Sequence, residues 1–157
     1  MFHVVLYEPQ IPPNAGNIIR LCANSGASLH LVQPLGFRLD DRQMRRAGLD
    51  YRERAVITVH RSLAEFRDTV APARMFALST RGQRRYDSVE YRSGDALLFG
   101  PETRGLPQAV LDSIQPQYVL RIPMVCDSRS LNLANAVAIV VYEAWRQQDF
   151  RARPPQH

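Results

Sequence analysis

The sequence contains no lysine: all 20 basic residues are arginine, and with 15 acidic residues the formal net charge is +5. A Schiff-base mechanism needs a lysine amine, and the phosphate loop of a standard NTPase needs a lysine next to its phosphates. The absence of lysine therefore excludes Schiff-base enzymes, kinases and standard P-loop NTPases. The excess of arginine favours a polyanionic partner, above all nucleic acid.

Signatures of disulfides, metals and dinucleotides are missing as well. The two cysteines, Cys22 and Cys126, lie far apart and form no CxxC pair, so neither a disulfide framework nor a zinc site is predicted. The four histidines, at positions 3, 30, 60 and 157, are spread along the chain, and we expect no cluster and no metal. The eight glycines never form GxG, which argues against a Rossmann dinucleotide site.

The sequence has neither a targeting segment nor a long apolar run. No basic region opens the chain, and Glu8 interrupts the only early apolar stretch, which argues against a signal peptide. The longest uninterrupted apolar run, 136–142, is too short to span a bilayer. We therefore expect a cytoplasmic protein that does not use a membrane.

Short apolar runs alternate with helical patterns along the chain. The runs predict strands at 3–7, 30–32, 55–59, 74–79, 96–100 and 118–122. The patterns between them predict helices near 14–25, 40–47, 62–70, 107–114 and 131–147. Several of the runs are continuously apolar, as is typical of parallel strands buried on both faces. The alternation predicts an α/β fold with a mainly parallel sheet flanked by helices.

Local signals support these boundaries. Ser62 and Glu65 form a capping box, and Gly26 and Gly48 stand where helices are expected to end. Residues 1–150 are predicted to form one domain, followed by a disordered tail at 151–157.

Three blocks are rich in Asn, Ser and Gly and carry the functional signal. In the first, PPNAGNIIRLCANSG (12–26), Asn14 is the predicted N-cap of a helix. On that helix Asn14, Asn17, Arg20 and Asn24 share one face. The block is either a polar surface helix or a row of hydrogen-bonding groups directed at a polar ligand.

The second block, ALLFGPETRGLP (96–107), is a strand that runs into a loop. Gly100 and Gly105 allow the backbone to approach a ligand closely, whereas Glu102 in the middle of the loop does not suit a phosphate site. The simpler alternative is a plain loop before the next helix.

In the third block, residues 121–145, a further strand leads into a long helix for which Ser130 is the predicted N-cap. Asn132, Asn135, Tyr142 and Arg146 share one face of this helix, which packs either in the core or against a partner subunit. None of the three blocks contains a convincing nucleophile–base pair. They indicate chemistry by positioning and electrostatics.

In this order, NAGNIIR, FGPETRGLP and IPM…SRSLNLANAVAIVVYEAWR resemble motifs 1, 2 and 3 of the SPOUT superfamily of RNA methyltransferases, over nearly the whole chain. The resemblance implies an α/β fold whose C-terminal part forms a deep trefoil knot. It also implies a homodimer that uses S-adenosylmethionine and no metal.

The stretches VVLYEPQIPPNAGNIIRLCANSG and RRAGLDY resemble the minimal bacterial tRNA (cytidine/uridine 34-2′-O)-methyltransferases of that superfamily, and we expect no appended RNA-binding domain. That similarity implies methylation of the 2′-hydroxyl of the wobble nucleotide, cytidine or modified uridine, in the anticodon stem-loop of leucine tRNAs. The alternatives are another tRNA position, ribosomal RNA, or a non-catalytic RNA-binding protein of the same fold. A flavodoxin-like nucleotide-binding protein would explain the alternation of elements but not the three matched blocks.

The resemblance also assigns site residues by position. Three are catalytic: Arg20, Ser130 and Asn132. Cofactor contacts are expected from Leu78, Ser79, Thr80, Gly100, Glu102, Gly105, Ile122, Met124, Ser130 and Leu131. Asn135 and Tyr142 are expected at the dimer interface.

RNA contacts are expected mainly from arginines. Arg20 is the arginine of motif 1, and two basic stretches lie further along the chain. The residues expected to contact RNA are Arg20, Arg42, Arg45, Arg46, Arg81, Arg84 and Arg85. Phosphate contacts by such a group make RNA binding steeply dependent on salt. For any single arginine, an ordinary solvated position is the alternative.

Overall fold

A computed structural model describes residues 1–40, 42 and 55–151. Its strands are β1 His3–Tyr7, β2 Ser28–Val32, β3 Ile57–His60, β4 Met75–Leu78, β5 Arg84–Arg85, β6 Ala96–Phe99 and β7 Val119–Arg121. Its α-helices are α1 Pro12–Ser25, α2 Leu63–Val70, α3 Gln108–Asp112 and α4 Leu133–Gln147. Apart from residues 40 and 42, the predicted helix at 40–47 lies outside the described residues, as do its stop at Gly48 and all but the first residue of the predicted tail.

All seven strands belong to one sheet with the order β3-β2-β1-β6-β4-β7-β5, and every recorded pairing is parallel. This confirms the predicted α/β class, although the two-residue strand β5 was not predicted. The carboxyl ends of all the strands lie at the same edge of the sheet because the strands are parallel, and α/β proteins bind ligands at that edge. Within the described ranges, no helix is long and apolar enough to cross a membrane.

The side chains of the central strands alternate between two apolar layers. Val4 and Leu6 of β1 pack in a cluster with residues of α1 and α4, whereas Val5 packs with residues of α2 and α3 on the opposite face. This alternation is the period of two expected of a strand. Both faces of the sheet are therefore covered, which explains the continuous apolar runs in the sequence.

Two of the predicted helix starts are wrong. Helix α1 begins at Pro12, after an extended Ile11, because proline has no N–H to leave unpaired and its fixed φ suits a first turn. Asn14 is therefore inside the helix. Helix α4 is capped by Asn132 rather than by Ser130: the Asn132 Oδ1 accepts a hydrogen bond of 3.2 Å from the Asn135 amide.

The predicted helix signals at Ser62 and Gly26 are confirmed. Ser62 accepts a hydrogen bond of 3.0 Å from the Glu65 amide at the start of α2. The Glu65 carboxylate binds the Arg61 amide in return, one residue before the position that a capping box uses. Gly26 ends α1 in the left-handed conformation, at φ 75°.

The prediction that the histidines do not cluster is wrong for three of them. His3 Nδ1 lies 3.0 Å from His30 Nε2, and His30 Nδ1 lies 2.9 Å from His60 Nε2. They come from β1, β2 and β3, which are adjacent in the sheet although far apart in sequence. Phe66 of α2 covers the rings of His30 and His60 edge-on. Among the described residues, no group of three or more His, Cys, Asp or Glu side chains is arranged to hold a metal ion.

This cluster predicts that the protein loses stability in weak acid. Burial, together with the neighbouring His3 and His60, lowers the pKa of His30 from 6.5 to about 4. The folded state therefore resists a proton that the unfolded chain accepts, so the free energy of unfolding falls as the pH drops from 6.5 towards 4. Urea unfolding at several pH values measures this fall, and H30L is expected to make it shallower. An equal slope in both proteins would contradict the assignment to His30.

Candidate active site

A cavity of about 260 Å³ opens at the carboxyl edge of the sheet, between the segments that follow β4, β6 and β7. Its walls include apolar side chains such as Leu78, Phe99 and Leu133, and the polar Ser79, Thr80 and Glu102. A cleft that combines apolar surface with convergent polar groups is typical of a small-molecule site. The cavity therefore suits a ligand that has both apolar and polar parts.

All ten residues predicted to contact a cofactor line this cavity. They are Leu78, Ser79, Thr80, Gly100, Glu102, Gly105, Ile122, Met124, Ser130 and Leu131. They come from three segments separated by about 20 residues or more in sequence, and the parallel sheet brings them together. The two other predicted catalytic residues, Arg20 and Asn132, are outside the set of lining residues.

Segment 100–105, which we call the β6 loop, forms one wall mainly through its backbone. The Gly105 amide donates to the Pro101 carbonyl at 3.0 Å, and Gly105 has a φ of 66°. A Cβ placed on Gly100 would lie 2.3 Å from the backbone nitrogen of Leu106. The loop therefore turns so tightly that only glycine fits at position 100.

The backbone of the loop after β4 packs against the backbone of β7 as closely as Gly100 packs against Leu106. A Cβ on Gly82 would lie 2.6 Å from the carbonyl carbon of Leu120, and the Ser79 amide donates to the Leu120 carbonyl at 2.9 Å. Arg81, which also lines the cavity, donates to Gln108 Oε1 at 2.6 Å. Two of the three cavity segments are thus positioned by contacts of their backbones.

Glu102 of the β6 loop binds the start of α1. Its carboxylate accepts hydrogen bonds from the backbone amides of Gln10, at 2.9 Å, and Ile11. A negative charge next to the first turn also interacts favourably with the helix dipole. Helix α1 has no side-chain cap of its own and no acidic residue in its first turn. Glu102 therefore takes over that role from a distant part of the chain.

The first and third motifs are joined by two asparagines. Asn132 Nδ2 donates to Asn14 Oδ1 at 3.0 Å, while the Asn132 Oδ1 caps α4. One side chain thus fixes the start of α4 and connects it to α1. Both asparagines belong to the polar helix faces predicted from the sequence, but the sequence did not indicate that they pair.

Arg20 is an exposed residue in the second half of α1. The other residues predicted to share its helix face differ in exposure: Asn17 and Asn24 are exposed, whereas Asn14 is buried. On α4, Asn135 and Tyr142 are both exposed, as the prediction of an interface requires.

The arginines predicted to contact RNA differ in whether they already have partners within the chain. Arg84 donates to the carbonyls of Gln117 and Ser88, and Arg85 forms a two-pronged pair with Asp87, so both have partners within the chain. Arg42 is exposed. The predicted contacts Arg45 and Arg46 lie outside the described residues.

Cys22 lies in the first block, two residues after motif 1. Burial raises the pKa of its thiol to about 12, so the thiol stays protonated at neutral pH.

Comparison with known proteins identifies the family of this chain. Residues 1–142 match the SpoU rRNA Methylase family. The chain is 56% identical over 147 residues to the tRNA (cytidine(34)-2′-O)-methyltransferase of Escherichia coli K12, covering 94% of each chain. The chain therefore belongs to the SpoU methylase family.

Two solved structures are informative neighbours. One, described as giving structural insights into the 2-OH methylation of C/U34 on tRNA, has a TM-score of 0.90 and 47% identity, over 96% of this chain and 98% of that one. The other is the SpoU methyltransferase AviRb from Streptomyces viridochromogenes in complex with the cofactor AdoMet, or S-adenosylmethionine. It has a TM-score of 0.85 and 26% identity, over 94% of this chain and 60% of that one.

The double role of Asn132 gives a testable prediction. N132A removes both the cap and the bond to Asn14, so we expect the free energy of unfolding to fall by about 2 kcal/mol. N132S keeps a good capping oxygen but cannot reach Asn14, so we expect a loss of about 1 kcal/mol. The control N24A, an exposed position on α1, is expected to change stability by less than about 0.5 kcal/mol. Urea denaturation measures all three, and equal losses in N132A and N132S would contradict a stabilising cap.

Proposed function

We propose that the protein transfers a methyl group from S-adenosylmethionine to the ribose 2′-hydroxyl of nucleotide 34 of tRNA. The observation that carries the proposal is the cavity in which all ten predicted cofactor residues meet. The 56% identity to the Escherichia coli enzyme, over nearly the whole of both chains, supports the tRNA position. Ribosomal RNA remains the second candidate, because the family that matches is named for rRNA methylation.

The cavity suits S-adenosylmethionine. Leu78, Ile122 and Leu131 supply apolar surface for a flat adenine ring, and the backbones of the β6 loop and the β4–β5 loop supply hydrogen-bonding groups for a ribose. The absence of a side chain at Gly100 lets that backbone approach. When bound, the cofactor would supply an electrophilic methyl group on a sulfonium centre.

We assign to Arg20 the stabilisation of the ribose oxygen as it becomes negative. The guanidinium does not lose its proton in proteins, so it acts as a cationic hydrogen-bond donor rather than as a base. A single such donor contributes about 3–4 kcal/mol to the transition state. The proton of the hydroxyl leaves to water or to an RNA phosphate. Of the two other proposed catalytic residues, Ser130 lines the cavity and Asn132 caps the start of α4.

We further propose that the active protein is a homodimer. Arg20 is exposed and outside the set of cavity-lining residues described in one chain, so a second copy is a natural source of the catalytic arginine. The exposed side chains of Asn135 and Tyr142 on α4 supply a surface for it. Met124 and Leu131, also partly exposed at the cavity, lie in the segment between β7 and α4.

The finer expectations remain proposals. They are a trefoil knot in the C-terminal part, one domain over residues 1–150, action in the cytoplasm, and recognition of the anticodon stem-loop of leucine tRNAs. Arg42 and Arg81, exposed on the described surface, are the clearest candidates for contact with RNA phosphates. Arg84 and Arg85 would have to exchange their present partners to make such contacts.

Methyl transfer is tested on tRNA purified from cells that lack this gene, using labelled S-adenosylmethionine. Mass spectrometry of the digested product is expected to find 2′-O-methylation at nucleotide 34. R20A is expected to lower kcat by about 100-fold or more, with the cofactor Kd almost unchanged. The control R92A removes an arginine paired only with the exposed Glu90 and is expected to keep full activity. Equal loss of cofactor binding in R20A would contradict the role given to Arg20.

The cofactor pocket has its own test. G100A places a methyl group against the backbone of Leu106, so the β6 loop must move, and we expect S-adenosylmethionine to bind at least about tenfold more weakly. G94N is the control for a substitution at a glycine: no atom lies within 4 Å of a Cβ added at Gly94, and asparagine is one of the side chains that tolerate its φ of 91° best. Calorimetric titration measures both. Wild-type affinity in G100A would mean that the cofactor binds elsewhere.

A further inference from the structure

The segment between β1 and α1, residues 8–11, is attached to the β6 loop by three consecutive side chains. Besides the Glu102 bonds, Thr103 Oγ1 donates to Gln10 Oε1 at 2.7 Å, and Arg104 Nη2 lies 3.0 Å from Glu8 Oε2. We call this set of contacts the clasp. It joins residues more than 90 positions apart in sequence.

The pair between Glu8 and Arg104 differs from an ordinary surface ion pair. The Glu8 side chain is only 20% exposed, whereas that of Arg104 is 61% exposed. Glu8 also has a φ of 48°, a left-handed conformation that is uncommon for residues other than glycine and that surrounding contacts must hold in place. The turn at Glu8 is therefore held partly by the cavity wall itself.

The same segment is enclosed from its other side. The Gly36 amide donates to the Pro9 carbonyl at 2.8 Å, and a Cβ on Gly36 would lie 2.7 Å from the Cα of Gln10. The segment has little room to move independently of the β6 loop. Directly after it, α1 begins at Pro12 and carries Arg20 eight residues further on, roughly 12 Å along the helix.

We propose that Glu8, Gln10, Thr103 and Arg104 are positioning residues that couple occupancy of the cofactor pocket to the placement of Arg20 of the same chain, which in the proposed homodimer would serve the pocket of the other copy. A bound cofactor that orders the β6 loop also fixes the 8–11 segment through the clasp, and with it the direction in which α1 leaves that segment. The inference rests on the proposed function, since it takes the cavity as the cofactor pocket and Arg20 as the catalytic residue. It assigns a positioning role in methyl transfer to residues other than the three proposed catalytic ones.

Hydrogen–deuterium exchange tests the coupling without any need for turnover. S-adenosylmethionine added to the full-length wild-type protein is expected to slow amide exchange both in residues 100–106 and in residues 8–20. In R104Q and E8Q we expect protection of 100–106 to remain and that of 8–20 to fall at least about twofold. Protection of 100–106 alone in the wild type would overturn the coupling, whereas no protection anywhere would overturn the proposed function instead.

Kinetics distinguish positioning from direct contact. R104Q, E8Q and T103V are each expected to lower kcat about tenfold, with the Kd for S-adenosylmethionine and for tRNA changed less than about threefold. The control R92Q alters another exposed, paired arginine and is expected to keep wild-type kcat. The reversed pair E8R/R104E is expected to recover most of the kcat lost in R104E alone.

Two results would overturn the proposal. One is a loss in R104Q that appears as weaker tRNA binding and is absent from E8Q, which would make Arg104 an RNA contact. The other is a fall in kcat that only follows a fall in Tm across the variants, with no recovery in the reversed pair.

Discussion

The arrangement of the molecule depends on the parallel pairing of β6 between β1 and β4. Because these strands run in the same direction, the segments that follow them emerge together at one edge. One such segment leads into helix α1, which carries the proposed catalytic Arg20, and the others form walls of the cavity. Strand β7, paired with β4, adds the segment that leads into α4. A single pairing order thus brings three distant sequence motifs into contact.

Side-chain hydrogen bonds then connect the segments that meet at this edge of the sheet. Glu102 binds the amides at the start of α1, and Asn132 binds Asn14 inside it. Helix α1 therefore receives one contact from each of the other two motifs. Arg20, to which we assign catalysis, therefore stands on a helix that is held by both of the segments that shape the pocket.

The sequence predicted the class of fold and the cavity residues well, because both follow from local patterns and from matched motifs. It failed where the answer depends on which strands are neighbours. His3, His30 and His60 looked scattered, yet their strands are adjacent. Asn14 and Ser130 were plausible caps, but Pro12 and Asn132 occupy the helix starts instead. The partners of Glu102 and Arg104 lie more than 90 residues away, beyond the reach of any local pattern.

The close approach of Gly100 to Leu106 and of Gly82 to Leu120 has a consequence for engineering. At these positions main chain packs directly on main chain, so a side chain introduced there would displace the loop rather than reshape the pocket. A pocket redesigned for a bulkier sulfonium analogue is better enlarged at Met124 or Leu131, cavity-lining side chains that are partly exposed and lie outside the strands.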